Sequence, residues 1–113
     1  MKNVLTILAA AFALGHGAAL AASAEAGKAA YVKHGCWQCH GFAGQGSIAT
    51  SAGKVIARTE LPLEAFAGFV RYTNGAMPPY REPILSDAEL ADIYAYLQSV
   101  PKPPDVGSIP LLK

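Results

Sequence analysis

An all-α fold of about three main helices is predicted by three features of the sequence. Three segments carry apolar or small residues at helical spacing: Gly27, Ala30, Tyr31 and His34; Leu63, Phe66, Ala67 and Val70; and Leu90, Ile93, Tyr94 and Leu97. The last of these follows Ser86-Asp87-Ala88-Glu89, a capping box in which the serine hydroxyl accepts from the Glu89 amide and the glutamate reaches back. No stretch alternates apolar and polar residues as a half-buried strand does.

The chain of 113 residues is one domain's worth. Met1-Lys2-Asn3 is short and basic, Val4 to Leu14 is an apolar run, Gly15-His16-Gly17 breaks any helix, and small residues follow up to Ala24. That order marks a secretory signal peptide with Ala-x-Ala ends at Ala21 and Ala24. The expected organisation is a leader over 1–21 (cleavage as late as 24), one domain over 22–100 and a proline-rich tail over 101–113. An uncleaved membrane anchor is the rival. It would have to cross two glycines and a histidine to reach the roughly 20 residues a span needs, and membrane contact is expected only in that case. Nine Lys and Arg face eight Asp and Glu, and loss of Lys2 with the leader leaves the two signs balanced. A nucleic-acid binder would show a clustered basic excess instead. A mature chain of about 90 residues buries a modest core and often leans on a staple, metal or cofactor.

The first helix is expected from about Ser23 to His34, with Gly35 as its stop. Its face is mostly small, which suits close approach by another helix. The second is expected from Pro62, suited to a first helical position, to Thr73, ended by Asn74-Gly75. The third runs from the capping box to Pro101. Between the first two helices lies a Gly/Ser/Ala-rich stretch, Gly41 to Thr59, long for a structureless loop in so small a domain; a wrapped cofactor would explain its order. The tail carries Pro101, Pro103, Pro104 and Pro110, so it cannot be a regular helix. Its apolar end, Ile109-Pro110-Leu111-Leu112, reads as a strap on the domain's own surface or as a partner-docking segment.

Both cysteines lie in Cys36-Trp37-Gln38-Cys39-His40. Cys-x-x-Cys-His is the attachment pattern of c-type haem: two thiols two residues apart can add to the two vinyl groups of one porphyrin, and the next residue points its imidazole at the iron. Three rivals are weaker. A thioredoxin-like redox pair wants a βαβ setting. Zinc wants four ligands, and His34 is the only fourth in reach, awkwardly close to Cys36. A structural disulfide closes too short a loop to restrain the unfolded chain much. For the sixth iron position the candidate is Met77, the only methionine besides the initiator, in Gly75-Ala76-Met77-Pro78-Pro79-Tyr80 between two helices. A thioether opposite histidine raises the reduction potential and suits electron transfer; the plainer role is a core gap-filler. His34 is the alternative ligand, and His16 leaves with the leader.

With these residues in view the chain resembles a class I, mono-haem cytochrome c, from the first helix to Pro101. The resemblance rests on Cys36-x-x-Cys39-His40 after one helix, Met77-Pro78-Pro79 in a loop and a capped last helix. It implies a bundle wrapped around one covalent haem c, with Cys36 and Cys39 as thioethers and His40 and Met77 as axial ligands. It also implies a crossing of the first and last helices, with Gly27 and Tyr31 against Tyr94 and Leu97. The segment from Cys36 to Gly41 and the run from Met77 to Leu97 resemble the small periplasmic cytochromes of bacterial dehydrogenase systems. That implies a periplasmic one-electron carrier rather than an enzyme, taking electrons from a dehydrogenase and passing them to a downstream cytochrome or oxidase. The alternative is a tightly bound cytochrome subunit of a flavin, quinone or molybdenum dehydrogenase; a gas- or peroxide-reactive protein with Met77 displaced is a third reading.

The family usually has a proline after the haem turn, whose carbonyl accepts from the ligand histidine. Ala52-Gly53-Lys54 stands there instead, and Gly53 is the expected donor of that carbonyl. Trp37 and Gln38 are expected to face solvent or the haem edge, or Trp37 to pack locally. Tyr80, Arg58 and Arg81 are ordinary loop residues or reach the haem propionates. Val55, Ile56, Leu61, Phe66, Val70 and Leu85 line the crevice or the core.

Overall fold

The structure, a computed structural model, describes residues 20–47 and 53–113. All but the last two residues of the expected leader therefore lie outside the described part. The described elements are α1 (Ala24–Lys33), α2 (Trp37–His40), α3 (Leu63–Tyr72) and α4 (Asp87–Ser99), followed by two 3-10 turns at Val106–Ser108 and Pro110–Leu112. No strand occurs among the described residues, and the fold is all-α as its periodicity predicts.

Helix α1 starts where its cap lies: the Ser23 hydroxyl accepts from the Ala26 amide at 3.2 Å. Glu25 in the first turn and Lys33 in the last match the helix dipole. It ends in a Schellman turn. Cys36 N–H donates to Tyr31 O, Gly35 N–H donates to Val32 O, and Gly35 takes a φ of 75°, which favours glycine. The turn restarts the chain as α2, a single helical turn carrying both thiols' motif, which the spacing of apolar residues did not reveal.

Helices α1 and α4 cross at closest approach beside Gly27. A Cβ there would land inside the Asp92 carbonyl, so only glycine allows the two backbones to meet. Ser23 N–H donates to Asp92 Oδ1 at 2.6 Å. Lys33 Nζ pairs with Glu89 at 2.8 Å. Tyr31 is fully buried with its ring edge-on to Tyr96 at 5.5 Å. The crossing is thus the expected one, with Leu97 in the same buried cluster as Tyr31, but Tyr94 does not take the place expected of it. Gly27 meets Asp92 and Ile93, and Tyr31 meets Tyr96. Tyr94 instead tilts against Phe66 at 5.4 Å and donates its hydroxyl to Leu61 O at 2.9 Å, joining α4 to α3.

Pro62 is the N-cap of α3 rather than its first residue, and Leu63 is 40% exposed, outside the buried stripe expected of it. Phe66 and Val70 are buried, as is Arg71. Helix α4 has the full capping box: Glu89 N–H to Ser86 Oγ at 3.2 Å and Ser86 N–H to Glu89 Oε2 at 3.3 Å. Leu85, Leu90 and Leu97 are almost fully buried; each contributes about 1.5–3 kcal/mol relative to exposure. The long loop is tied to the end of α4, with Arg58 N–H on Leu97 O at 2.8 Å and Gln98 Nε2 on Thr59 O at 2.7 Å. The tail's apolar residues pack little against the domain: Val106, Leu111 and Leu112 are 67%, 94% and 63% exposed, and Ile109 is half-buried.

Candidate functional site

One apolar crevice of about 330 Å³ gathers the residues singled out from the sequence. Cys36, Cys39 and His40 line it from the turn after α1 and from α2; Met77 lines it with Ala76 and Pro78 from the loop between α3 and α4. Phe66, Phe69 and Val70 come from α3, and Leu90, Ile93 and Leu97 from α4. Val55, Ile56, Leu61, Tyr80 and Leu85 also line it. Val55, Leu61 and Phe69 remain 64%, 47% and 58% exposed. An open apolar crevice of this kind on a small domain marks a ligand site.

The attachment segment is held from several directions. The hydroxyls of Tyr31, Tyr96 and Tyr80 donate to the carbonyls of Gly41 (2.7 Å), Phe42 (2.7 Å) and His34 (2.9 Å), on both sides of the motif. Burial pushes the Tyr31 and Tyr80 hydroxyls above the ordinary phenol range, with the Cys36 thiol adding to each, so they remain donors at neutral pH. Trp37 stacks on Phe42 at 4.6 Å and so packs locally.

His40 Nδ1 lies 2.8 Å from the Lys54 carbonyl. Donation there leaves the lone pair of Nε2 for a metal. The bond falls in the segment expected to orient His40, but one residue beyond the expected Gly53. The Gly53 carbonyl accepts from the Ser47 amide instead, at 3.0 Å.

Both cysteines are free. Burial pushes the Cys36 thiol up to about 11, so it stays protonated at neutral pH. A dithiol redox pair needs the opposite shift. No group of three or more His, Cys, Asp and Glu placed to hold a metal occurs among the described residues, which leaves the zinc reading without a site. His34 is turned to Glu89, its Nε2 lying 3.4 Å from the carboxylate, rather than towards the crevice. The chemistry of the lining fits a haem: an apolar chamber, two free thiols, one oriented imidazole and one thioether.

The other expected polar contacts are engaged elsewhere. Arg58 Nη1 donates to Pro101 O at 2.8 Å, and the Arg81 guanidinium lies 5.4 Å from the centre of the Tyr72 ring. Two residues of the site region were not foreseen. Phe69 lies three residues after Phe66 on the crevice side of α3. Arg71 lies four after Ala67, on the continuation of the apolar stripe, and that position was the available signal for it.

An all-helical domain that presents Cys-x-x-Cys-His and a methionine loop to one apolar crevice is a c-type cytochrome of the small, class I-like kind. The chain belongs to the family described as cytochrome c oxidase, cbb3-type, subunit III, whose model matches residues 22–97. No curated protein and no solved structure matches it. It is therefore a haem c-binding, electron-transfer protein.

Proposed function

We propose that the chain is an exported carrier of single electrons, holding one haem c through thioethers to Cys36 and Cys39, with His40 and Met77 as axial ligands. The observation that carries this reading is the convergence of these four side chains on one apolar crevice. When bound, the haem supplies the Fe(III)/Fe(II) couple. The protein's own residues do the rest. Lys54 fixes the His40 tautomer through its carbonyl, and the apolar residues of α3 and α4 exclude water. Met77 would hold the iron from the other side of the crevice, leaving no position for substrate, which speaks for a carrier over an enzyme.

Cleavage after Ala21 is favoured over Ala24, because the later cut would remove Ser23 and with it both the α1 cap and the bond to Asp92. No described helix is long and apolar enough to cross a membrane. A periplasmic setting follows from the leader. The electron donor in this reading is a dehydrogenase and the acceptor a downstream cytochrome or oxidase; the family's description as an oxidase subunit supports a place in a respiratory chain.

The second reading, a cytochrome subunit fixed to a flavin, quinone or molybdenum dehydrogenase, is favoured by the exposed Leu111 and Leu112 of the tail. Gel filtration of the native periplasmic extract separates the two: a carrier runs at the mass of this chain alone, a subunit with a larger partner. Optical titration tests the ligand set. The oxidised protein should show the methionine–iron charge-transfer band and the reduced protein should not bind carbon monoxide readily at neutral pH; rapid binding contradicts the assignment.

A further inference from the structure

The loop that carries Met77 has almost no backbone support of its own. Thr73 N–H donates to Phe69 O at its start, at 3.0 Å, and Tyr80 N–H donates to Val70 O at its end, at 2.9 Å. From Asn74 to Pro79 no backbone hydrogen bond joins it to another described residue. The far end is held by a charge instead. Arg71 is 8% exposed, and its Nη1 donates to the Tyr80 carbonyl at 2.8 Å and to the Leu85 carbonyl. Its Nη2 pairs with Asp87 Oδ1 at 2.6 Å, at the start of α4. One guanidinium therefore joins α3, the loop and α4. Tyr80 carries the link across the crevice through its hydroxyl on the His34 carbonyl, two residues before Cys36.

We propose that Arg71 is the positioning residue for Met77, acting through Tyr80, and that it sets how readily the methionine leaves the iron. The proposal rests on Met77 being an axial ligand. Pro78 and Pro79 are the only residues between Met77 and Tyr80, and each has its φ fixed by its ring. A shift of Tyr80 is thereby passed to Met77 rather than absorbed. The guanidinium suits this work because its rigid planar fork spreads donors over two nitrogens, Nη1 for the two carbonyls and Nη2 for the carboxylate, where a lysine offers a single nitrogen.

The test is imidazole titration of the ferric holoprotein, since imidazole binds only when Met77 has left. Arg71→Met is expected to raise the apparent imidazole affinity about tenfold or more, the effect of losing hydrogen bonds from a charged donor. Arg71→Lys is expected to fall between, and Tyr80→Phe to raise it less. Ser23→Ala, which removes the α1 cap, is expected to lower the melting temperature and leave the affinity where it was. If Arg71→Met does not fold, Arg71→Lys and Tyr80→Phe carry the test. Folded Arg71 and Tyr80 variants with the wild-type affinity overturn the positioning role, as does an equal rise in Ser23→Ala. A wild-type protein without the methionine–iron band overturns the ligand assignment itself, and the proposal with it, before any variant is compared.

Discussion

The two sides of the crevice are built in different ways. The His40 side is local: within a few residues Gln38 donates to Gly35 O, His40 to Cys36 O, Gly41 to Trp37 O and Gly46 to His40 O. Two tyrosines from α1 and α4 then pin the Gly41 and Phe42 carbonyls. The Met77 side has two prolines, a backbone bond at each end and one buried arginine. The difference suits an electron carrier. Under the proposed ligand set, His40 would be fixed by the attachment segment, while Met77 would depend on a single long-range contact network.

The comparison can be broken on its firm side first. Gly27→Val drives a branched side chain into the Asp92 backbone and forces α1 off α4, so the His40 side loses its floor; a loss of about 3 kcal/mol or more is expected by denaturant titration. Tyr96→Phe is milder. It orphans the Phe42 carbonyl and should cost about 1 kcal/mol, with imidazole affinity unchanged because the Met77 loop is untouched. The smallest effect concerns neither side. Hydrogen bonds from Lys33 above all, then from Ser86 and His34, hold the Glu89 carboxyl at about 2, below its ordinary 4.5. A depressed carboxyl contributes stability above its unfolded value and loses it as pH falls through the folded one. Unfolding midpoints should therefore fall between about pH 4.5 and 2, and Glu89→Gln should flatten that part of the profile.

What could be read from the sequence divides along the same line. The capping box at Ser86, the stop at Gly35 and the helical stripes are local patterns, and each of the three expected helices appears within a residue or two of its expected bounds. Cys36, Cys39, His40 and Met77 stand out in the sequence through short motifs, and the structure brings all four to one crevice. Register was not legible: Tyr94 and Tyr96 lie on different faces of α4, and only packing decides that Tyr96 meets Tyr31 while Tyr94 meets Phe66. The carbonyl for His40 comes from Lys54 rather than Gly53 because any residue offers one, so spacing gives the neighbourhood and not the atom. Arg71 was hidden by its charge. An arginine on an apolar stripe reads as a surface residue unless three acceptors converge on it, and those come from Tyr80, Leu85 and Asp87, distant in sequence.

The account stands on the attachment of one haem to Cys36 and Cys39, and intact-mass spectrometry of the exported protein after acid extraction tests it most directly. The predicted result is a polypeptide beginning at Ala22 with the mass of one haem added and retained through extraction, an increment that disappears when both cysteines are replaced by alanine. A mass equal to the polypeptide alone would contradict it.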